Sequence, residues 1–354
     1  MAVVAVLVAC GVSAAGFVAS PSVGGKTPAS GKPLSSSPAR STTTLVPAPR
    51  KIVLSPTGLT ELPPAMLLPR SIFTSSVQAW NTVQGSSQYA AAIVYDYKTW
   101  YGAVGVNTSF STYQVPAKQP RVHLFVSHGC NNFLPGTGTS APIPPYAEPG
   151  SGSDAPLIVY QPSTGYEWEF WQVSKVASGW AACWGGRLKL TSSQGVFPFP
   201  YGLSASGISY LATEITEADV ASGAIRHAIA MGLPNCNWPD YPKYVFPADR
   251  TDCGNHPGNP AEGQWFRFAS SVNCSNYDST RFEEMVCKAI QVYGAVVLDQ
   301  NGAVQLVAED PADWAAQGHK GLDPMTASWG GQQEYAVVAN LPWDQLQTVA
   351  PPGS

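Results

Sequence analysis

Charge is what this 354-residue chain has least of: Asp, Glu, Lys and Arg make up 12% of it, 19 basic against 23 acidic residues. A net charge of −4 gives no basic footprint, so nucleic acid is excluded as a partner class. Histidine is scarce at five residues, and there is no C-x-x-C pair or histidine cluster, so no metal and no cofactor is expected. Beyond the first twenty residues no apolar run is long enough to span a bilayer. No self-similarity recurs at the period of a solenoid or propeller, and long helical periods are rare.

The leader, MAVVAVLVACGVSAAGFVAS, has no Lys or Arg before its apolar run. Its apolar length followed by small residues still reads as a signal peptide over residues 1–20, too short and too rich in Gly and Ala to span a membrane. Leu7-Val8-Ala9-Cys10 resembles a lipobox, so the alternative is a lipoprotein leader with a lipid anchor at Cys10. Residues 21–50 are nearly all Pro, Ser, Thr, Gly and Ala, a composition that cannot bury enough apolar surface to order itself, and so a disordered linker. Residues 51–354 are expected to form a single large β-rich domain. The protein is then secreted or extracellular, or a cell-surface lipoprotein if Cys10 is acylated.

Six further cysteines stand at Cys130, Cys183, Cys236, Cys253, Cys274 and Cys287, as in a disulfide-stapled exported protein. Fifteen pairings are open; proximity favours Cys236 with Cys253 and Cys274 with Cys287, leaving Cys130 for Cys183. Each bridge would contribute roughly 2–4 kcal/mol. Ser127-His128-Gly129-Cys130 resembles the nucleophile motif of the L,D-transpeptidases, exported enzymes acting on peptidoglycan. It departs from them in Asn131 and Asn132, in the early Pro135 and in the absence of a preceding His-Gly pair. A free Cys130 would also leave an odd number of cysteines, so the disulfide reading is preferred.

With 33 Gly, 32 Pro, 11 Trp and 15 Tyr, the chain favours many short strands joined by turns. Strands are expected over residues 89–96, 122–126, 156–161, 166–173, 187–190, 225–232, 244–247 and 265–268. Pro162-Ser163-Thr164-Gly165 marks a hairpin, whose second strand alternates Tyr166, Trp168 and Phe170 with Glu167 and Glu169. Thr216 starts a short helical turn that Gly223 stops. Ser279 or Thr280 caps one amphipathic helix near the C-terminus, residues 281–293, ended by Gly294. A turn at residues 299–302 then joins strands at 296–298 and 304–308 into a second hairpin. The expected fold is mainly β: a jelly-roll-like β-sandwich with a few short helices and that amphipathic one.

Polar groups in structured contexts supply the candidate site. His227 lies within the apolar run Ala224-Ile225…Ala228-Ile229; Asp252 closes the stretch Pro247-Ala248-Asp249-Arg250-Thr251-Asp252, and Glu309-Asp310 follow the terminal hairpin. His227, Asp252, Glu309 and Asp310 are thus acid/base candidates for sugar chemistry, unless they form a buried salt-bridge cluster. Trp180 and Trp184 flank Gly185-Gly186-Arg187. Their rings suit the apolar faces of sugars, with Arg187 and Arg250 binding polar or acidic substituents.

One resemblance spans most of the ordered chain, about residues 89–349. Trp184-Gly185-Gly186-Arg187, Gly202-Leu203-Ser204-Ala205-Ser206-Gly207, Gly223-Ala224-Ile225-Arg226-His227-Ala228, Ala248, Arg250 and Tyr293-Gly294 stand in order. They resemble an uncharacterised family of exported bacterial and fungal proteins with a G-x-S-A-x-G-L, G-x-I-x-H-A-L, R-Y-G pattern. This chain departs by Ile208 where that pattern has Leu, and by its extra cysteines. The resemblance implies export and a shared fold, with no established activity. Two functions stay open, a hydrolase or lyase acting on an extracellular polysaccharide and a non-catalytic domain binding a glycan or cell wall.

Overall fold

The computed structural model describes residues 62–63, 66–69, 71–100, 102–130, 134, 140–238 and 244–352. The leader, the linker, Cys10 and the domain start at 51 lie outside the described residues. What is described belongs to one compact unit, Pro49–Ser354.

The chain is mainly β, with fourteen strands in two sheets and few helices among the described residues. In spatial order the larger sheet runs β1 (Asn81–Thr82), β14 (Leu346–Ala350), β11 (Trp265–Phe268), β12 (Ala295–Gln300), β10 (Ile229–Leu233), β13 (Gln305–Glu309), β2 (Gly105–Gln114), β5 (Leu157–Gln161), β6 (Tyr166–Trp171) and β9 (Trp184–Lys189). The smaller runs β4 (Ser140–Ala141), β3 (Val122–Val126), β8 (Gly179–Ala182) and β7 (Ser174–Val176). Both sheets contribute to one apolar cluster, in which Leu124, Ala141 and Trp180 of the smaller meet Tyr113, Val159, Trp168 and Phe170 of the larger. Pairings β10/β12, β13/β2, β2/β5 and β3/β8 are parallel, which is not the antiparallel connectivity of a jelly roll.

The central strands are buried on both faces, and their side chains divide by parity. Ile229, Met231, Phe266, Phe268, Ala295, Val297 and Leu306 pack on one side with α1 (Ser86–Trp100) and α3 (Arg281–Val292). Ala230, Trp265, Val296, Leu298 and Val307 pack on the other with Phe197, Ile208, Tyr210 and Leu211 of an irregular covering segment.

Local chemistry explains the helices. Thr280 caps α3 by accepting from the Glu283 N–H at 3.0 Å, and Gly294 leaves it at φ +84°. Thr216 and Asp219 form a reciprocal capping box on α2 (Glu217–Ser222), and Gly223 closes it in the left-handed region. Residues 89–96, expected as a strand, lie inside α1. Tyr89, Ile93 and Tyr97 share one face at a spacing of four and pack on the core, so the 3.6 period prevails over the β-branched pair Ile93-Val94. Residues 244–247 are not a strand but run into the cis peptide Phe246–Pro247. β12 and β13 are not a hairpin, because β10 lies between them. No helix among the described residues is long and apolar enough to cross a membrane.

Disulfides join Cys130 to Cys183, Cys236 to Cys253 and Cys274 to Cys287, the pairing that proximity favoured. Cys130 is therefore not a free thiolate nucleophile in this structure.

Candidate active site

β6 sends Tyr166, Trp168 and Phe170 to the inter-sheet cluster, so Glu167 and Glu169 point to the opposite face. Both are fully buried there. The segment of residues 203–211 covers them and supplies their hydrogen bonds. The Leu211 N–H donates to Glu169 Oε1 at 3.3 Å, the Leu203 N–H to its Oε2 at 3.4 Å, and the Ser209 hydroxyl to Glu167 Oε2 at 3.0 Å. Burial raises the Glu169 carboxyl to about 7 against those donors. Glu167 is raised well above its ordinary value by burial and by the charge of Glu169.

Asp299 reaches the same face through a bulge. Strict alternation would send it after Ala295 and Val297 to the helix side. The register instead pairs Met231 with Val297 and Gly232 with Asp299, so Leu298 is an extra residue, and a bulge of this kind re-aims the next side chain. Asp299 Oδ2 accepts the Ala205 N–H at 3.2 Å and the Tyr210 hydroxyl at 3.0 Å. Burial, then the charge of Asp252, pushes its carboxyl up to about 8.

Glu262 comes from the turn before β11 and is fully buried. Gly263 behind it has φ +84°, and a Cβ there would stand 1.6 Å from the Val245 carbonyl oxygen, so the turn needs glycine. Thr251 and Asp252 are the side chains that hydrogen-bond the Glu262 carboxyl. Burial and the charges of Asp299 and Asp252 raise its carboxyl well above the usual range. Asp252, exposed as a residue, turns its carboxyl inward, and burial of that end raises it. One oxygen from each of Asp252, Glu262 and Asp299 lies within 4.8 Å of the other two. That is roughly twice a calcium–oxygen bond of about 2.3–2.6 Å, so these are the residues that could hold a hard divalent cation. A Glu262 oxygen also lies within 4.8 Å of the Cys236 and Cys253 sulfurs, which are bonded to each other.

Arg250 supplies positive charge at this centre. Its Nη1 is 3.1 Å from Asp249 Oδ1, its Nη2 donates to the Tyr201 carbonyl, and its guanidinium lies 5.9 Å from the Phe199 ring. Burial pulls its pKa down, while the charges of Asp249, Glu262, Glu169 and Asp299 oppose that. Phe199 and Phe246 stand 72% and 51% exposed, each before a cis proline. Trp171 and Trp184 pair across β6 and β9, at the next position on the acidic face about 7 Å beyond Glu169. The Trp171 indole donates to Asp154 at 3.0 Å.

The acid/base candidates read from sequence are divided between two ends of the sheet. His227 is fully buried and donates from Nε2 to Asp219 Oδ2 at 3.0 Å and from Nδ1 to the Ala228 carbonyl at 2.8 Å. Burial disfavours its charge, but Asp219 and that carbonyl together outweigh burial and raise its pKa, so it is an ion-paired core residue. His227 lies two residues before β10, whose Gly232 near the far end pairs with Asp299, so the two lie toward opposite ends of that strand. Glu309, at the His227 end of the antiparallel β13, is buried and accepts the Glu217 N–H at 2.8 Å. Asp310 accepts the Ala312 N–H at 2.8 Å, at the start of α4 (Ala312–Ala316). Asp252 and Arg250 are the two candidates placed at the carboxyl trio.

Of the candidate sugar-binding groups, Trp180 is buried in the inter-sheet cluster under Lys175. Arg187 stacks over Tyr166 at 4.7 Å, on the face opposite Glu169. Trp184 is half-buried on the acidic face. Trp168, Trp265, Trp314, Trp329 and Trp343 are core residues, so most of the tryptophan fills volume. Sequence reasoning missed Glu262 and took Asp299 for a turn residue. The one local signal was a carboxyl held against glycine in Ala261-Glu262-Gly263, just before a strong strand.

These features define a mainly β, disulfide-bonded protein with a largely buried carboxyl cluster beside an arginine. Comparison with protein-family models, with curated proteins and with solved structures gave no match for the chain.

Proposed function

We propose that the chain is an exported enzyme that hydrolyses a glycosidic bond in an extracellular polysaccharide or cell-wall glycan, with its centre at Asp252, Glu262 and Asp299. The observation that carries this reading is the convergence of three carboxyls within 4.8 Å beside Arg250. Glycoside hydrolysis needs one carboxyl protonated and one ionised near the same bond. Asp299, held at about 8, is protonated at neutral pH and gives its proton to the leaving oxygen. Asp252, the most open of the three, attacks the anomeric carbon as the bond to that oxygen breaks. Water then attacks the same carbon, gives its proton to Asp299 and releases Asp252. Glu262 is buried, and burial together with the charges of Asp299 and Asp252 raises its carboxyl well above the usual range. Oxygens lying within 4.8 Å of one another stand no farther apart than the roughly 5–5.5 Å of retaining enzymes and short of the roughly 6.5–9.5 Å that admits a water between the carboxyls. Phe199, Phe246 and Trp184 offer ring faces to the sugar. The three disulfides fit an oxidising compartment.

The test is mass spectrometry of products from plant, fungal and bacterial wall polysaccharides, with Asp299→Asn and Asp252→Asn as controls. Hydrated oligosaccharides that disappear with either variant support the reading, with the anomeric configuration retained by NMR. Unsaturated products would mean a lyase. Binding without products would leave the non-catalytic glycan-binding reading instead.

A further inference from the structure

A cleft of about 390 Å³ is lined by Tyr95, Asp96 and Trp100 from α1 and by Asn235, Asn255 and His256 from the facing loops, and Asn255 follows Asp252 by three residues. We infer that it is a binding subsite for a neutral oligosaccharide, placed to hold the chain whose bond is cleaved at Asp252 and Asp299. The inference rests on the glycan reading above and adds a location and a substrate class to it.

Three features point to a sugar. Tyr95 and Trp100 are 68% and 57% exposed at the cleft, whereas α1 buries Ala90 and Ile93 on its packed face. Such rings suit the C–H faces of pyranoses. The facing groups are amides and an imidazole, with the Thr99 hydroxyl beside the rings on α1, and these donate and accept as sugar hydroxyls require. No Lys or Arg lines the cleft, so an acidic sugar would find no counter-charge and the ligand class is neutral.

The wall is also fixed in advance. Asp96, 2% exposed, accepts from the Asn235 amide at 2.9 Å. Asn237 Oδ1 accepts the His256 N–H at 2.9 Å, and the Asn259 amide donates to the Asn235 carbonyl. The Cys236–Cys253 disulfide clamps the two loops of this wall. A preorganised wall reduces the ordering cost of binding. Asn255 follows Asp252 by three residues, so their backbones are at most about 11 Å apart, a span that a short oligosaccharide covers.

The experiment is titration of the protein with cellohexaose, chitohexaose, xylohexaose and mannohexaose, read by tryptophan fluorescence and calorimetry, using the Asp299→Asn variant so that ligand persists. One hexaose should bind saturably, and Trp100→Ala and Asn255→Ala should each weaken it roughly tenfold while leaving the thermal midpoint within about 2 °C. In the active protein Trp100→Ala should raise KM for the hexaose and leave kcat unchanged. Absence of binding by all four sugars, or binding indifferent to Trp100, overturns the subsite. Binding lost with Trp100→Ala in a protein that turns over no polysaccharide would keep the subsite and remove the hydrolase reading. Turnover unaffected by Trp100→Ala would do the reverse.

Discussion

The Tyr210 hydroxyl donates to Asp299 Oδ2 at 3.0 Å, the oxygen that also accepts the Ala205 N–H. Both donors stabilise the ionised carboxylate and so restrain a pKa that burial has pushed to about 8. Tyr210→Phe removes one restraint without changing the packing of the ring against Phe110. Asp299 should then titrate higher, by roughly one unit for a bond of about 1.4 kcal/mol. The alkaline limb of the pH–rate profile should move up by the same amount, and ¹³C-carboxyl NMR of labelled aspartate should report the shift without any substrate. A downward shift would contradict the assignment.

Buried carboxyls also set how stability depends on pH. Glu169 is held at about 7 and Asp299 at about 8, both above their unfolded values of roughly 4–4.5. Between those limits the folded protein carries more protons than the unfolded chain, so unfolding free energy falls as pH rises. The contribution is fully present below about pH 4 and is lost as pH climbs through 7 to 8, at about 1.4 kcal/mol per pH unit for each such group. His227, raised by Asp219, acts in the same direction. The thermal midpoint should therefore be higher at pH 5 than at pH 8, and Glu169→Gln should flatten that slope. A midpoint that rises with pH would show these carboxyls to be ionised in the fold.

Where one or two side chains set the outcome, the sequence was readable. Tyr166 to Trp171 and Trp265 to Phe268 alternate as strands do, and Thr216, Gly223, Thr280 and Gly294 mark helix ends by their own chemistry. α1 was hidden because Ile93 and Val94 carry a strand preference that only the packing of Tyr89, Ile93 and Tyr97 overrides. The insertion of β10 between β12 and β13 depends on contacts some seventy residues apart, to which no local pattern points. The site divides likewise: Asp252 and Arg250 stand in a visibly polar stretch. Glu262 is a lone acid between small residues, and Asp299 faces the site through a bulge set by pairing with Gly232.

Three carboxyls this close require neutralisation, by protons or by a cation. Burial raises all three, and Arg250 already provides a fixed positive charge beside them, so protons should win near neutrality. Millimolar calcium or magnesium should leave the thermal midpoint unchanged at pH 6, and chelation should leave activity intact. A saturable stabilisation by calcium that Glu262→Gln abolishes would mean that a cation holds the trio.

Gly207 tests whether the position of Arg250 matters independently of its charge. The residue has φ +82°, and a Cβ there would fall 2.5 Å from Asp249 Oδ1 and 3.1 Å from Arg250 Cζ. Gly207→Ala must therefore strain the backbone and push the Asp249–Arg250 pair off its seat. Gly152, at φ +81°, is the control, because an added Cβ there meets no described heavy atom within 4 Å. Both alanine variants should lose about 1–2 kcal/mol from the left-handed backbone, read as a lower midpoint in urea. Gly207→Ala alone should also lower kcat/KM, by roughly tenfold or more, because it moves the guanidinium next to the reacting carboxyls. Equal activity in the two variants would mean that Arg250 stabilises the loop and takes no part in the chemistry.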